Sequence, residues 1–91
     1  MLTANYSGKF KKDLKLMAKR GLSMQKIYTV MVDLQNEIPL QPKHREHLLT
    51  GNFSGFSECH IEPDWLMIYK PDLAAQEIYF ARTGSHADLF E

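Results

Sequence analysis

The sequence predicts an α+β fold in which two N-terminal helices pack on one face of a small, largely antiparallel β-sheet. Apolar residues recur at helical spacing in the first third of the chain, whereas short runs of aromatic and branched residues follow Gly51. Short turn signals separate those runs, so neighbouring strands should be antiparallel. A length of 91 residues allows one domain, residues 1–91, with one core.

Both helices have start and stop signals in the sequence. Residues 2–6 predict a short first strand, and Ser7 can then cap a helix because its hydroxyl accepts from a free amide of the first turn. Gly21 can end this helix, and Ser23 caps a second one that stops before Pro39. The apolar stripes of the two helices are formed by Phe10, Leu14 and Met17, and by Met24, Ile27, Tyr28, Met31 and Leu34.

The C-terminal half predicts three further strands, at residues 53–62, 65–70 and 76–82, giving a sheet of three or four strands. Residues 62–65 fit a type I turn, since Pro63 presets φ at its second position, and Pro71 with Asp72 marks the next reversal. Residues 38–45 predict an extended connection. Residues 83–91 start with a glycine turn and end in one helical turn.

Composition indicates a cytoplasmic protein. Cys59 is the only cysteine, so no internal disulfide can form and nothing requires an oxidising compartment. The first ten residues lack the apolar region of a signal peptide, and no apolar stretch approaches the length of a membrane span.

The net charge of zero conceals a strong asymmetry. Residues 1–26 contain seven basic residues and one acidic residue, whereas residues 27–91 contain four basic and ten acidic ones. A basic first helix is suited to a polyanion or an acidic partner. The alternative is that its lysines simply solvate an exposed helix.

Four histidines are candidates for chemistry: His44, His47, His60 and His86. We expect the last three to meet at the open side of the sheet, beside the turn that carries Asp64. Metal-free RNA cleavage needs one group to deprotonate the ribose 2′-hydroxyl, another to protonate the leaving 5′-oxygen, and a cation near the phosphate. Imidazoles suit both proton transfers, Arg82 could supply the cation, and Asp64 could orient one histidine.

Each of these residues also fits a role without catalysis. Taken singly, a histidine in a small domain is more often a surface or hydrogen-bonded residue than a catalyst, and turn chemistry alone explains Asp64. Three histidines and a carboxylate could also bind zinc, but no close His-x-x-x-His spacing favours a metal site, so no cofactor is expected.

Two aromatic residues are candidates for stacking on an RNA base. Trp65 lies at the turn beside Asp64, and Phe90 lies near the chain end, where deep burial is uncommon. The alternative for Trp65, and for Tyr69, Tyr79 and Phe80, is a place in the core on alternating strand positions.

Several blocks of the sequence resemble the YafQ toxins of the RelE/ParE superfamily. They are YSGKF at 6–10, HLLTG at 47–51, GF at 55–56, CHIEPDWLMIYK at 59–70 and ARTGSHADLF at 81–90. The resemblance covers essentially the whole chain. The HxEPDW block and the RTGxH ending are specific in combination.

The resemblance implies a RelE-like fold and a ribosome-dependent endoribonuclease. Such toxins cleave messenger RNA in the ribosomal decoding site without a metal and thereby inhibit translation. The matching acid–base residues here are His47, His60, Asp64 and His86. Our interpretation makes His86 the acid at the leaving oxygen and places His60, with Asp64, on the nucleophile side.

The resemblance also implies RNA-binding residues and partners. Arg82 is expected to hold phosphate and Phe90 to stack on a base. Relatives often carry a basic residue where this chain has Ser57, so Arg82 or Lys70 should contribute more charge here. The implied partners are a cognate antitoxin, the ribosome with its mRNA, and operator DNA only through the antitoxin. The alternatives are a metal-dependent hydrolase with the same residues and a non-catalytic toxin-like binding module.

Overall fold

The structure, a computed structural model describing residues 1–91, confirms the α+β prediction. Its strands and helices in chain order are β1 Thr3–Tyr6, α1 Gly8–Lys19, α2 Met24–Gln35, β2 His47–Leu48, β3 Ser57–Glu62, β4 Trp65–Asp72, β5 Glu77–Gly84 and α3 His86–Phe90. Short 3₁₀ turns at Pro42–His44 and Gly51–Phe53 interrupt the connections on either side of β2.

The helix signals of the sequence are confirmed. The Ser7 hydroxyl accepts from the Phe10 amide at the start of α1, and the Ser23 hydroxyl accepts from the Lys26 amide at the start of α2. Gly21 has a φ of 83°, the left-handed conformation that glycine adopts without strain where a helix ends.

The sheet has five strands in the order β1-β5-β4-β3-β2. All neighbours are antiparallel except β1 and β5, which run parallel. Three sequence expectations change: β3 starts only at Ser57, β4 continues through Asp72, and the two-residue β2 forms an edge strand. The reversal after β4 therefore lies at residues 73–76, where Asp72 accepts from the Ala75 amide.

The core lies between the two helices and one face of the sheet. Its fully buried aromatic residues include Phe10 from α1, Trp65 and Tyr69 from β4, and Phe80 from β5. Burial raises the pKa of the Cys59 thiol, so this cysteine stays protonated and inert inside the core. The opposite face of the sheet carries polar side chains of β3 together with the fully buried Leu66 and Ile68 of β4.

None of the three α-helices combines the length and the apolar character that a membrane span requires.

Candidate active site

A carboxylate between two imidazoles forms one side of the site. Glu58 and His60 are two positions apart on β3, so they share the face opposite the buried Cys59. His47 on β2 pairs directly with Glu58. The Glu58 Oε1 atom lies 3.4 Å from His47 Nε2 and 3.7 Å from His60 Nε2, and only 5% of Glu58 is exposed.

The other nitrogen of each of these imidazoles contacts a backbone carbonyl. His60 Nδ1 lies 3.2 Å from the Pro63 oxygen, and His47 Nδ1 lies 2.8 Å from the Arg45 oxygen. A carbonyl only accepts, so each Nδ1 carries a proton and each Nε2 faces Glu58. His47 is half exposed, whereas only 11% of the His60 side chain is accessible.

The second side of the site is the pair of His86 and Asp64. Leu66 on β4 pairs with His60 on one side and with Gly84 on the other, so the chain leaving β5 brings His86 close to His60. Asp64 Oδ1 accepts from the His86 backbone amide at 3.1 Å and from His86 Nδ1 at 2.9 Å. The ring centroids of His60 and His86 are 6.0 Å apart.

This geometry corrects one assignment made from the sequence. Asp64 orients His86 rather than His60, whose nearest carboxylate is Glu58. The hydrogen bond from the His86 side chain holds the pKa of Asp64 below its usual value. Asp64 is therefore ionised near neutral pH and can stabilise a positive charge on His86.

Phe90 belongs to an aromatic group beside the histidines. Its ring lies 6.2 Å from that of His86 and meets Phe53 edge-on at 5.9 Å, while 45% of Phe90 remains exposed. Phe53 in turn contacts Phe56. An exposed aromatic ring next to proton-transferring groups is suited to stacking on a nucleotide base.

The two predicted cations differ in their surroundings. Arg82 is held by Asp13 of α1 through hydrogen bonds of 2.8 Å from Nε and 3.3 Å from Nη2, and these raise the pKa of the guanidinium. The Lys70 ammonium lies 5.5 Å above the centre of the Phe56 ring, within the aromatic group.

Trp65 is not part of the site. Its ring is 2% exposed, and its Nε1 donates to the Thr83 hydroxyl inside the core. Trp65 begins a strand whose first residue points toward the helices, so proximity to Asp64 along the chain did not place it on the surface. The expectation that it stacks on RNA was wrong.

Glu58 was missed in the sequence. The signal was available, because residues two apart on a strand share a face and Glu58 precedes His60 by two. Recognising it also required β2, whose two residues give almost no strand pattern. His44, by contrast, lies outside the site, with Nδ1 bound at 2.7 Å to the His60 backbone oxygen.

The metal alternative concerns the same histidines and carboxylates. No group of three or more His, Cys, Asp or Glu side chains is arranged to hold a metal ion. Glu58 contacts two of the imidazoles, and Asp64 contacts the third.

Comparison with known proteins identifies close relatives over almost the entire chain. An Escherichia coli K12 protein described as the mRNA interferase toxin YafQ is 42% identical over 86 residues, covering 93% of this chain and 91% of the relative. The crystal structure of a metal-bound toxin from Helicobacter pylori is 41% identical, with a TM-score of 0.93 and coverage of 99% and 100% of the two chains.

The toxin in the crystal structure of the E. coli DinJ–YafQ toxin–antitoxin complex is 40% identical, with a TM-score of 0.88 and coverage of 99% and 98%. The family described as bacterial toxin of type II toxin–antitoxin system, YafQ, matches residues 2–91. A match of this extent, together with the shared fold, shows that the chain belongs to the YafQ family of bacterial toxins of type II toxin–antitoxin systems.

Proposed function

We propose that the protein is an mRNA interferase, an endoribonuclease that cleaves messenger RNA in the decoding site of the ribosome and so inhibits translation. Cleavage proceeds by metal-free acid–base catalysis. The proposal rests mainly on the pair formed by His86 and Asp64. The centre of the His86 ring lies 6.0 Å from that of His60, and the exposed Phe90 lies beside it.

The two sides of the site suggest a division of labour. His86 protonates the leaving 5′-oxygen, since the ionised Asp64 on Nδ1 stabilises the imidazolium that donates the proton from Nε2. On the other side, Nε2 of His47 or His60 accepts the proton of the ribose 2′-hydroxyl, and Glu58 stabilises the charge that this imidazole gains. His47 is the imidazole of this cluster that RNA reaches more easily, because half of its side chain is exposed.

Substrate binding uses the residues around these groups. Phe90 stacks on a base, and Lys70 contributes positive charge at the edge of the aromatic group. Arg82 holds phosphate on the part of its guanidinium that Asp13 leaves accessible, a quarter of the side chain being exposed. The lysines of α1 supply further attraction to the polyanionic ribosome.

The relatives support this proposal and its partners. The E. coli relative carries the description of an mRNA interferase, and E. coli YafQ has been crystallised with its partner DinJ. We therefore infer a cognate antitoxin for this chain, in the cytoplasm, with operator DNA contacted only through that antitoxin.

The decisive experiment is primer-extension mapping of a messenger RNA in a purified translation system with a chelator selective for transition metals, which leaves the ribosomes their Mg²⁺. Wild type and His86→Ala are compared with and without ribosomes. We expect wild-type cuts only with ribosomes, and a loss of at least about 10²-fold in the variant, because a positioned general acid contributes on that order.

Each control lane removes one alternative. Loss of wild-type cleavage in chelator, restored by added metal, would identify a metal-dependent hydrolase. Equal cleavage of naked RNA would refute ribosome dependence. Absence of cuts in every lane, from protein with a cooperative melting transition, would leave a non-catalytic module that pairs with an antitoxin.

A further inference from the structure

The short helix α3 carries two residues of the site and is not anchored by any buried side chain. It contains five residues, among them His86 and Phe90, and none of its side chains is buried. A helix of this length is not stable by itself, so its position must come from contacts with the rest of the protein.

Asp88 supplies the strongest of those contacts. Within α3 it completes a capping box, since its carboxylate accepts from the Ser85 amide at 2.8 Å while the Ser85 hydroxyl accepts from the Asp88 amide. The same carboxylate receives both arms of the Arg20 guanidinium, with distances of 2.6 Å to Oδ2 and 2.9 Å to Oδ1. Arg20 caps the C-terminal end of α1.

The approach of the Asp88 side chain to β5 is also close. A methyl group added at Gly84 would lie 2.8 Å from Asp88 Cβ, which is closer than real carbon contacts. Asp88 is thus packed against the backbone at the end of β5 on one side and bound to Arg20 on the other. The two-armed geometry restricts both the position and the orientation of its carboxylate.

We propose that Arg20 and Asp88 are positioning residues that fix α3 on α1 and so keep His86 and Phe90 facing His60. The assignment rests on the proposed ribonuclease function, because it concerns the same site. Neither residue contacts RNA in this role. Arg20 acts through Asp88, and Asp88 acts through the start of the helix that bears His86.

The test uses Arg20→Gln, Asp88→Asn and the double variant in the ribosome-dependent cleavage assay. Asp88→Asn keeps an oxygen that can accept from the Ser85 amide, so it removes the ion pair and spares the cap. Glu62→Gln is the matched control, because it breaks another surface ion pair of 2.6 Å, with Lys26, between α2 and β3.

We expect each single variant to lower kcat by roughly tenfold, because small displacements of a catalytic group are costly, and to raise KM, because a displaced Phe90 stacks less well on its base. The double variant should be no slower than either single one, since both break the same pair. Glu62→Gln should leave kcat unchanged. A merely structural role would instead lower the melting temperature alike in Asp88→Asn and Glu62→Gln without a selective loss of kcat.

A second readout keeps the positioning role testable if the nuclease function fails. The His86 imidazole resonances report its contact with Asp64 independently of activity, so we expect them to shift in Arg20→Gln and Asp88→Asn but not in Glu62→Gln. Unchanged His86 resonances or strictly additive kcat losses would overturn the positioning role. An inactive wild type with the expected shifts would overturn only the nuclease function.

Discussion

The three imidazoles of the site have similar intrinsic chemistry but different partners. His86 has a carboxylate on Nδ1, whereas His47 and His60 have carbonyl oxygens on Nδ1 and share Glu58 through Nε2. All three imidazoles therefore have a carboxylate partner, but His86 has Asp64 to itself, whereas His47 and His60 share Glu58. This difference in hydrogen-bond partners is the structural basis for the separate roles proposed for the two sides of the site.

Glu58→Gln tests the carboxylate that the two imidazoles share. The substitution keeps the shape of the side chain but removes the charge that stabilises proton uptake by His47 or His60. We expect kcat to fall by on the order of 10²-fold, with the loss concentrated on the limb of the pH–rate profile assigned to the base. Measurement of kcat from about pH 5 to 9 for wild type, Glu58→Gln and His86→Ala separates the limbs.

The outcome that contradicts this role is a Glu58→Gln enzyme with an unaltered profile. His86→Ala serves as the reference in the same experiment, because its loss should fall on the opposite, acid limb.

The sequence predicted which residues form the site more reliably than it predicted their hydrogen-bond partners and their burial. The three histidines and Asp64 do lie together, because each adjoins a turn or strand end that the sequence marks. The partner of Asp64 depends on how β4 pairs with β5, and the sequence left both a surface and a core position open for Trp65, because the face of β4 that meets the helices was not fixed. Local pattern does not contain that information.

At the level of elements, signals within one segment were predictive and pairings between segments were not. The caps Ser7 and Ser23 lie next to the amides that they satisfy, so their residue types are sufficient evidence for a helix start. By contrast, β2 is defined by its pairing with β3 rather than by its own sequence. A hydrogen bond from the Tyr69 hydroxyl to Glu46 holds the chain just before β2.

Acid should weaken the attachment of α3 only at a pH below the usual pKa of a carboxyl group. The pKa of Asp64 is lowered by His86, and the pKa of Asp88 by Arg20, so both carboxylates bind fewer protons in the folded state. A lowered folded pKa gives stability that is complete above the unfolded value of about 3.9 and is lost as the pH falls through the folded pKa.

The measurement is the melting temperature of wild type and Asp64→Asn at a series of pH values. At about pH 7 the wild type should melt at the higher temperature, and the two curves should converge as the pH falls below the unfolded value of about 3.9 and through the lowered folded pKa of Asp64. A constant difference down to the lowest pH would show that the Asp64 carboxylate does not contribute through its charge.

At the scale of the molecule, α1 connects the basic surface to the site. Its exposed lysines face solvent, while Asp13 holds Arg82 of β5 and Arg20 at its end holds Asp88 of α3. In the Asp13–Arg82 pair the acidic residue lies on α1, whereas in the Arg20–Asp88 pair the acidic residue lies on α3. One helix therefore fixes both the last strand and the helix that follows it.

The basic surface predicts a characteristic salt dependence. Lys15→Gln should weaken ribosome binding and reduce the slope of log affinity against log salt by roughly 0.7 to 0.9 for each phosphate contact removed, with kcat unchanged. Binding is measured between about 50 and 200 mM salt, with Lys43→Gln on the Pro42–His44 turn as the charge-matched control. Equal slopes for all three proteins would mean that Lys15 does not contact an RNA phosphate.

The parallel pairing of β1 with β5 has a consequence for the order of folding. The Ser7 hydroxyl at the end of β1 donates to the Ala81 oxygen, a contact between residues 74 positions apart. Contacts of such long range form late and slow the folding of small proteins. While the chain is being synthesised, β1 and the helices after it have no finished sheet to pack on. A nascent chain thus has no assembled His60–His86 cluster until β5 and the residues after it have left the ribosome that makes it.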